Sequence, residues 1–313
     1  LSSGSEGEGA TPTVALPSVV LPTRKAVTPA PVVADAEIEA ALKALKKIVA
    51  KETADPHNPW AIAHGLLALG DGHVLSNGQN AVEGLFANYA QKASTQGHKL
   101  ISFPSRATGP EGQNVRVEPH TDLIMKALAE SGVRLDRRVQ VEGEERQLGE
   151  LYYDTVLSTY LDMNSGDSSF DSPNDMPWGL QAIGTYAPAD LEWVSAAGKQ
   201  DLDTLTSFLV RVLTMESGQL FQWMNQGGAF QKNGQGIFKY TCGGSHLLQG
   251  AAYLVAKGFG EEKDRERLQA QVELLFWRFP RELEVYAKAV ERYPKQELIL
   301  VVQQLKFVGH WLE

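Results

Sequence analysis

The stretch NPWAIAHGLLALGDG, residues 58–72, sets the fold class. A residue able to cap a helix precedes a proline, and proline suits the first helical position because its missing N–H would be unpaired there anyway. A ring residue, His64, leads into an apolar run, and glycines at 70 and 72 stop the helix. Three further stretches repeat the plan: VEPHTDLIMKALAESG at 117–132, NDMPWGLQAIGTYAP at 174–188 and TCGGSHLLQGAAYLVAKG at 241–258. A fifth start, KFVGHWLE at 306–313, ends the chain. With His64, His120, Trp178, His246 and His310 aligned, the intervals are 56, 58, 68 and 64 residues. A period of about 60 residues suits one two-helix hairpin per repeat, with a more apolar inner helix. Such hairpins stack into an open solenoid or close into a ring. Small residues on the inner helices (Gly65, Ala68; Gly179, Ala182; Gly250, Ala251) favour close packing about an axis. The expected fold is all-α: five to six helical hairpins closing into an α/α toroid, the inner helices starting at one mouth.

Outward from these stretches, helical patterns continue around 79–93, 147–161, 200–216, 261–278, 281–292 and 295–312. Asp35 opens another, with Ile38, Leu42, Leu45 and Val49 at helical spacing. Strand signals are minor: Lys99–Phe103, Val115–Val117 and a hairpin at Arg138–Leu148 turning at Glu142–Gly143. Residues 1–34 hold five of the fifteen prolines and no apolar period, which predicts an extended tether before a domain spanning 35–313. Tethers of this composition follow the cleavage site of exported proteins. The expected location is therefore secreted or in the cell envelope, periplasmic and lipid-anchored through a removed N-terminus. A linker to a further domain of a cytoplasmic protein is the alternative. The net charge of −9 argues against nucleic acid or an anionic membrane as partner. No apolar run approaches the ~20 residues that span a bilayer.

Cys242, the single cysteine, stands four residues before His246 and beside two glycines at the start of a helix. A helix N-terminus favours thiolate, and glycines let backbone N–H groups approach an anion. The competing reading makes Cys242 a small buried apolar residue and the glycines packing devices. The motif Thr241-Cys-Gly-Gly-Ser-His246, with Gly309-His-Trp-Leu-Glu313, Pro119-His120 and Asp175-x-x-Trp178, resembles a group of uncharacterised bacterial exported proteins. Those proteins carry CGG(S/T)H and GHxLE elements and are assigned to the α/α-toroid class of the terpenoid cyclase and prenyltransferase type. The resemblance covers roughly residues 58–313, and is specific in those two elements and loose elsewhere. It implies the fold and the site, not a reaction. The chain departs from the better-known toroid enzymes. It has no DxDD acid motif, no Asp two residues before Cys242, and no second cysteine for a lanthionine-cyclase zinc site.

The aligned residues converge on one mouth in the expected ring. Cys242, His246, His120 and Asp175 are the candidate catalytic residues; His64, Trp178, Tyr240, His310 and Asn58 are candidates for holding substrate, with Glu313 at a matching position. His64, His120, Cys242, His246 and His310 are of the types zinc prefers, although no HExxH or CxxC pair supports a metal. Each histidine alone is more often a packed or capping residue. The loop DMNSGDSSFDSPND, 162–175, offers Asp175 as an acid or base with Trp178 as a sugar platform, or else a solvated loop whose Asp175 caps a helix. Its spacing misses a calcium-binding EF-hand, because Gly166 falls where a ligand belongs. Walker A and dinucleotide glycine motifs are missing. The leading expectation is a polar pocket for a small molecule or glycan, catalysing lysis or hydrolysis of a polysaccharide or cell-wall glycan. A non-catalytic envelope binding or scaffold module and a zinc-dependent transferase or cyclase are the rivals.

Overall fold

The computed structural model describes residues 34–312 apart from Ala229, Asn233, Gln235 and Thr241. The tether reading of 1–34 therefore falls outside the described residues but for Ala34, as do the expectations for Thr241 and Glu313. The described chain is mostly helical: α1 (Asp35–Glu52), α2 (Pro59–Leu69), α3 (Ala81–Tyr89), α4 (Leu123–Glu130), α5 (Leu148–Ser158), α6 (Met176–Tyr186), α7 (Leu202–Glu216), α8 (Gly218–Gln226), α9 (Ser245–Ala256), α10 (Glu262–Arg292) and α11 (Glu297–Leu312). Four two-stranded antiparallel hairpins join it: β1–β2 (Gln91–Thr95, His98–Ser102), β3–β4 (Arg106–Thr108, Asn114–Arg116), β5–β6 (Arg138–Val141, Glu144–Gln147) and β7–β8 (Glu192–Ser195, Gly198–Asp201).

The quoted stretches become the inner row of helices. Asn58 caps α2 by accepting from Ala61 N–H at 3.0 Å, and Pro59 opens the helix. The helices α2, α4, α6 and α9 pack in series, with α3, α5, α7 and α10 connecting and flanking them. Close approach comes from the small residues. A Cβ on Gly250 of α9 would lie 2.4 Å from the Cβ of Pro177 at the start of α6, and one on Gly184 would lie 2.7 Å from Leu254. Two apolar clusters result. One gathers residues from Ile62 to Leu151 together with Ala182; the other gathers Val156 to Leu274, and α6 contributes to both.

The structure differs from the sequence reading in several places. The helix expected over 79–93 ends at Tyr89, and Gln91–Thr95 pairs as β1. Helix α8 and the hairpin β7–β8 were not expected. A break was expected between 278 and 281, yet α10 runs unbroken through Pro280. Proline costs a helix interior one hydrogen bond and a clash. Here Arg278 and Glu282, one turn apart across it, are both buried and joined at 2.5 Å. The common register of the ring residues is also not a common helix position. His120 precedes α4, Trp178 and His246 lie in the first turns of α6 and α9, and His310 is near the C-terminal end of α11. Helix α11 packs on α10 and α9. Helix α1 packs on α2 but buries none of its residues, leaving Ile38, Leu42, Leu45 and Ile48 exposed.

Candidate functional site

Where α4, α6 and α9 begin and α11 ends, the surface opens into a cleft of about 770 Å³, within the range of small-molecule sites. His64, His120, Asp175, Trp178, Tyr240, Cys242, His246 and His310 all line it. Asn58 does not; its side chain is spent on capping α2.

The best-defined contact is between His120 and Asp175. His120 Nδ1 lies 2.5 Å from Asp175 Oδ1, and Ser172 Oγ donates to Asp175 Oδ2 at 2.8 Å. Asp175 sits at the N-cap position of α6 yet makes no capping bond, so its carboxylate serves the histidine instead. Burial pushes the Asp175 carboxyl up. Hydrogen bonds from His120 and Ser172, with the charges of His120 and His246, outweigh that and hold it below the usual carboxylate range. A carboxylate so held fixes the Nδ1–H tautomer of its histidine and leaves Nε2 as the basic atom. Half-exposed, His120 can offer that atom to a ligand.

Trp178 is not a sugar platform. It is 4% exposed; His120 stacks on it with ring centres 5.3 Å apart and planes within 7°, and the Lys126 ammonium lies 4.8 Å from its ring centre. His246 leans on it at 4.6 Å and meets His310 edge-on at 4.3 Å. Trp178 is thus the floor that sets the imidazoles. The aromatic face left for a ligand belongs to Trp60, 45% exposed and tilted at 36° against the His64 ring, whose Nδ1 is 2.8 Å from Trp60 O. Trp60 lies inside the stretch that decided the fold, and its place in the first turn of α2 was the signal that could have found it.

Cys242 is buried, and its thiol donates to Asn174 Oδ1 at 3.4 Å. The two glycines beside it do not open toward a ligand. Both have left-handed φ; a Cβ on Gly243 would meet the Arg278 guanidinium at 2.6 Å and one on Gly244 would meet Ile237 at 2.1 Å. Arg278 also donates to the Gly243 carbonyl at 2.9 Å. The CGGSH turn is therefore a packed joint that delivers His246 and Tyr240 to the cleft. Burial and the charge of Glu216 raise the Tyr240 phenol against the pull of Lys239, so it keeps its proton. Lys239, ion-paired with Glu216, and Lys306 line the cleft as well.

Among the described residues, no three His, Cys, Asp or Glu side chains stand where one metal ion could be held. The five zinc candidates share a cleft but not a point: His120 and His246 lean on Trp178, His310 meets His246, His64 lies against Trp60, and the thiol turns to Asn174. In the 162–175 loop, Asp162 accepts from Asn164 N–H at 2.8 Å and from Ser165 Oγ at 2.7 Å, using its carboxylate to close the turn. The chain matches no family model, no curated protein and no solved structure.

Proposed function

We propose that the cleft binds a uronate-containing glycan and cleaves it by β-elimination, with His120 as the base and Tyr240 as the acid. The observation that carries this reading is the His120–Asp175 pair at 2.5 Å on the cleft wall. His120 Nε2 removes the proton beside the uronate carboxylate, a C=C bond forms, and the C–O bond to the leaving unit breaks. The Tyr240 phenol protonates the departing oxygen. Lysis is favoured over hydrolysis because two-carboxylate hydrolysis needs one protonated acid facing an ionised partner. Among the described residues the cleft is lined by two carboxyl groups, Asp171 and Asp175, and Asp175 is held ionised against His120.

The reading includes an exported location and closure of the hairpins into a toroid. Closure is supported by α2 and α11, from opposite ends of the chain, walling one cleft. A binding or scaffold role has its own support in the apolar faces left exposed on α1 and α11. The test is to incubate the protein with a panel of uronate polysaccharides and follow ultraviolet absorbance of the unsaturated product. Product from the native protein and none from His120→Ala supports the reading. Binding without product from any member of the panel would leave the scaffold reading in its place.

A further inference from the structure

A second cavity opens beside the cleft. It measures about 360 Å³, within the range of small-molecule sites, and Asp171, Ser172 and Pro173 line both cavities. The two therefore meet along one short segment. Part of the second lining comes from the 162–173 loop, which local bonds keep closed. Asp162 N–H donates to Asp167 O at 2.8 Å, Ser169 N–H donates to Tyr160 O at 3.1 Å, and Leu161 bridges Ser168. Met176, at the start of α6, and Phe208 of α7 join that loop around the cavity.

The two linings differ in charge. Lys239, Lys306 and four histidines line the cleft. The second cavity is lined by Asp167 and Asp171, both exposed, and among the described residues no Lys, Arg or His joins them. Asp167 Oδ1 accepts from Ser168 N–H at 3.0 Å, which holds that carboxylate in place. A uronate in this cavity would set its carboxylate beside two others, and such like-charge contacts are costly. Leu161, Phe170 and Met176 supply buried apolar surface, and the Phe208 ring is half-buried.

We infer that the second cavity is a subsite for a non-acidic sugar unit, next in the chain to the uronate in the cleft. The Phe208 face meets the C–H groups of that sugar, and the carboxylates of Asp167 and Asp171 accept from its hydroxyls. A polymer that joins uronate to a non-acidic sugar fills both cavities. A chain of uronate alone fits only the cleft. The inference rests on the proposed chemistry only for what occupies the cleft.

The experiment titrates the protein at fixed pH with methyl β-glucoside and, separately, with glucuronate. Nuclear magnetic resonance signals of the Phe208 ring and Met176 methyl report on the second cavity, and those of the His120 and His246 imidazoles on the cleft. The glucoside is expected to shift the first pair, and glucuronate the second pair alone. Aldobiouronic acids, in which glucuronate is joined to an uncharged sugar, are expected to shift both pairs. At least one should bind about tenfold or more tightly than either monosaccharide, because its second contact becomes intramolecular. Phe208→Ala is expected to weaken glucoside binding about two- to tenfold while glucuronate still shifts the imidazoles. Asp167→Lys, at an exposed position, is expected to admit glucuronate to the second cavity, and serves if Phe208→Ala does not fold. A silent Phe208, an equal response there to glucuronate, or aldobiouronic acids that shift one pair only although both monosaccharides bind, overturns the inference. A glucoside response at Phe208 with no glucuronate response at the imidazoles would uphold the sugar site and reject the uronate reading.

Discussion

Asp175 stands where a helix cap is wanted and bonds to His120 and Ser172 instead. Replacing it with Asn keeps a side chain able to cap α6 while removing the charge that orients the imidazole. Asp175→Asn is therefore expected to leave stability within about 1 kcal/mol of native. It should lower turnover by a factor of about 10²–10⁴, the usual reach of one general base. Denaturant titration and the absorbance assay measure the two separately; a large stability loss with normal residual turnover would make the pair structural. Because Asp175 is depressed, its pairing contributes above the ordinary carboxylate range and is lost only as pH falls through its lowered value. Cys242 leads to the opposite expectation. Its thiol should resist alkylation until the protein unfolds, and Cys242→Ser should cost about 1 kcal/mol or more while sparing turnover. Rapid alkylation of folded protein would return the thiol to the candidate catalytic residues.

Among the elements, α10 gives the sharpest expectation. Arg278, 3% exposed, joins Glu282, lies 5.2 Å from the Phe238 ring and holds the Gly243 carbonyl. Glu282 is fully buried and also bonds Lys232 at 2.8 Å. Arg278→Ala leaves a buried carboxylate short of a partner, which typically costs about 3–5 kcal/mol. Arg278→Lys should recover little, because a point ammonium cannot reach Glu282 and the carbonyl with one planar fork. Thermal denaturation ranks the three proteins, and a fully stable lysine variant would show that the fork is not what matters. The same helix shows how far local signals reach. Caps and stops were legible wherever the chain marks them, as at Asn58-Pro59 or Gly70. At Pro280 the local rule did not hold: α10 continues, and the Arg278–Glu282 ion pair spans the proline. Tyr89 ends α3 without glycine or proline, so nothing marked the passage into β1. The ring residues were legible as a register, whereas the His120–Asp175 bond joins loops 55 residues apart and has no local trace.

For the molecule as a whole, its two ends are the least settled parts of the packing. Helix α1 exposes Ile38, Leu42, Leu45 and Ile48, and α11 buries only Phe307 while exposing Leu298, Ile299, Val302 and Leu305. Deleting residues 35–48 is expected to shift the melting temperature by no more than about 2–4 °C, the effect of roughly 1 kcal/mol in a chain of this size. A larger fall would show that the apolar face of α1 is covered in solution, as ring closure against α11 requires. The two apolar clusters carry a consequence for how each copy comes into being. Large chains fold part by part, the N-terminal portion first during synthesis. His120 belongs to the part made first, Asp175 arrives with the helix that touches both clusters, and His246 and His310 come from the ribosome later still. A chain that stops before α11 can hold His120 and Asp175 but lacks Lys306 and His310, so the wall those two residues supply is the last part of the cleft to form.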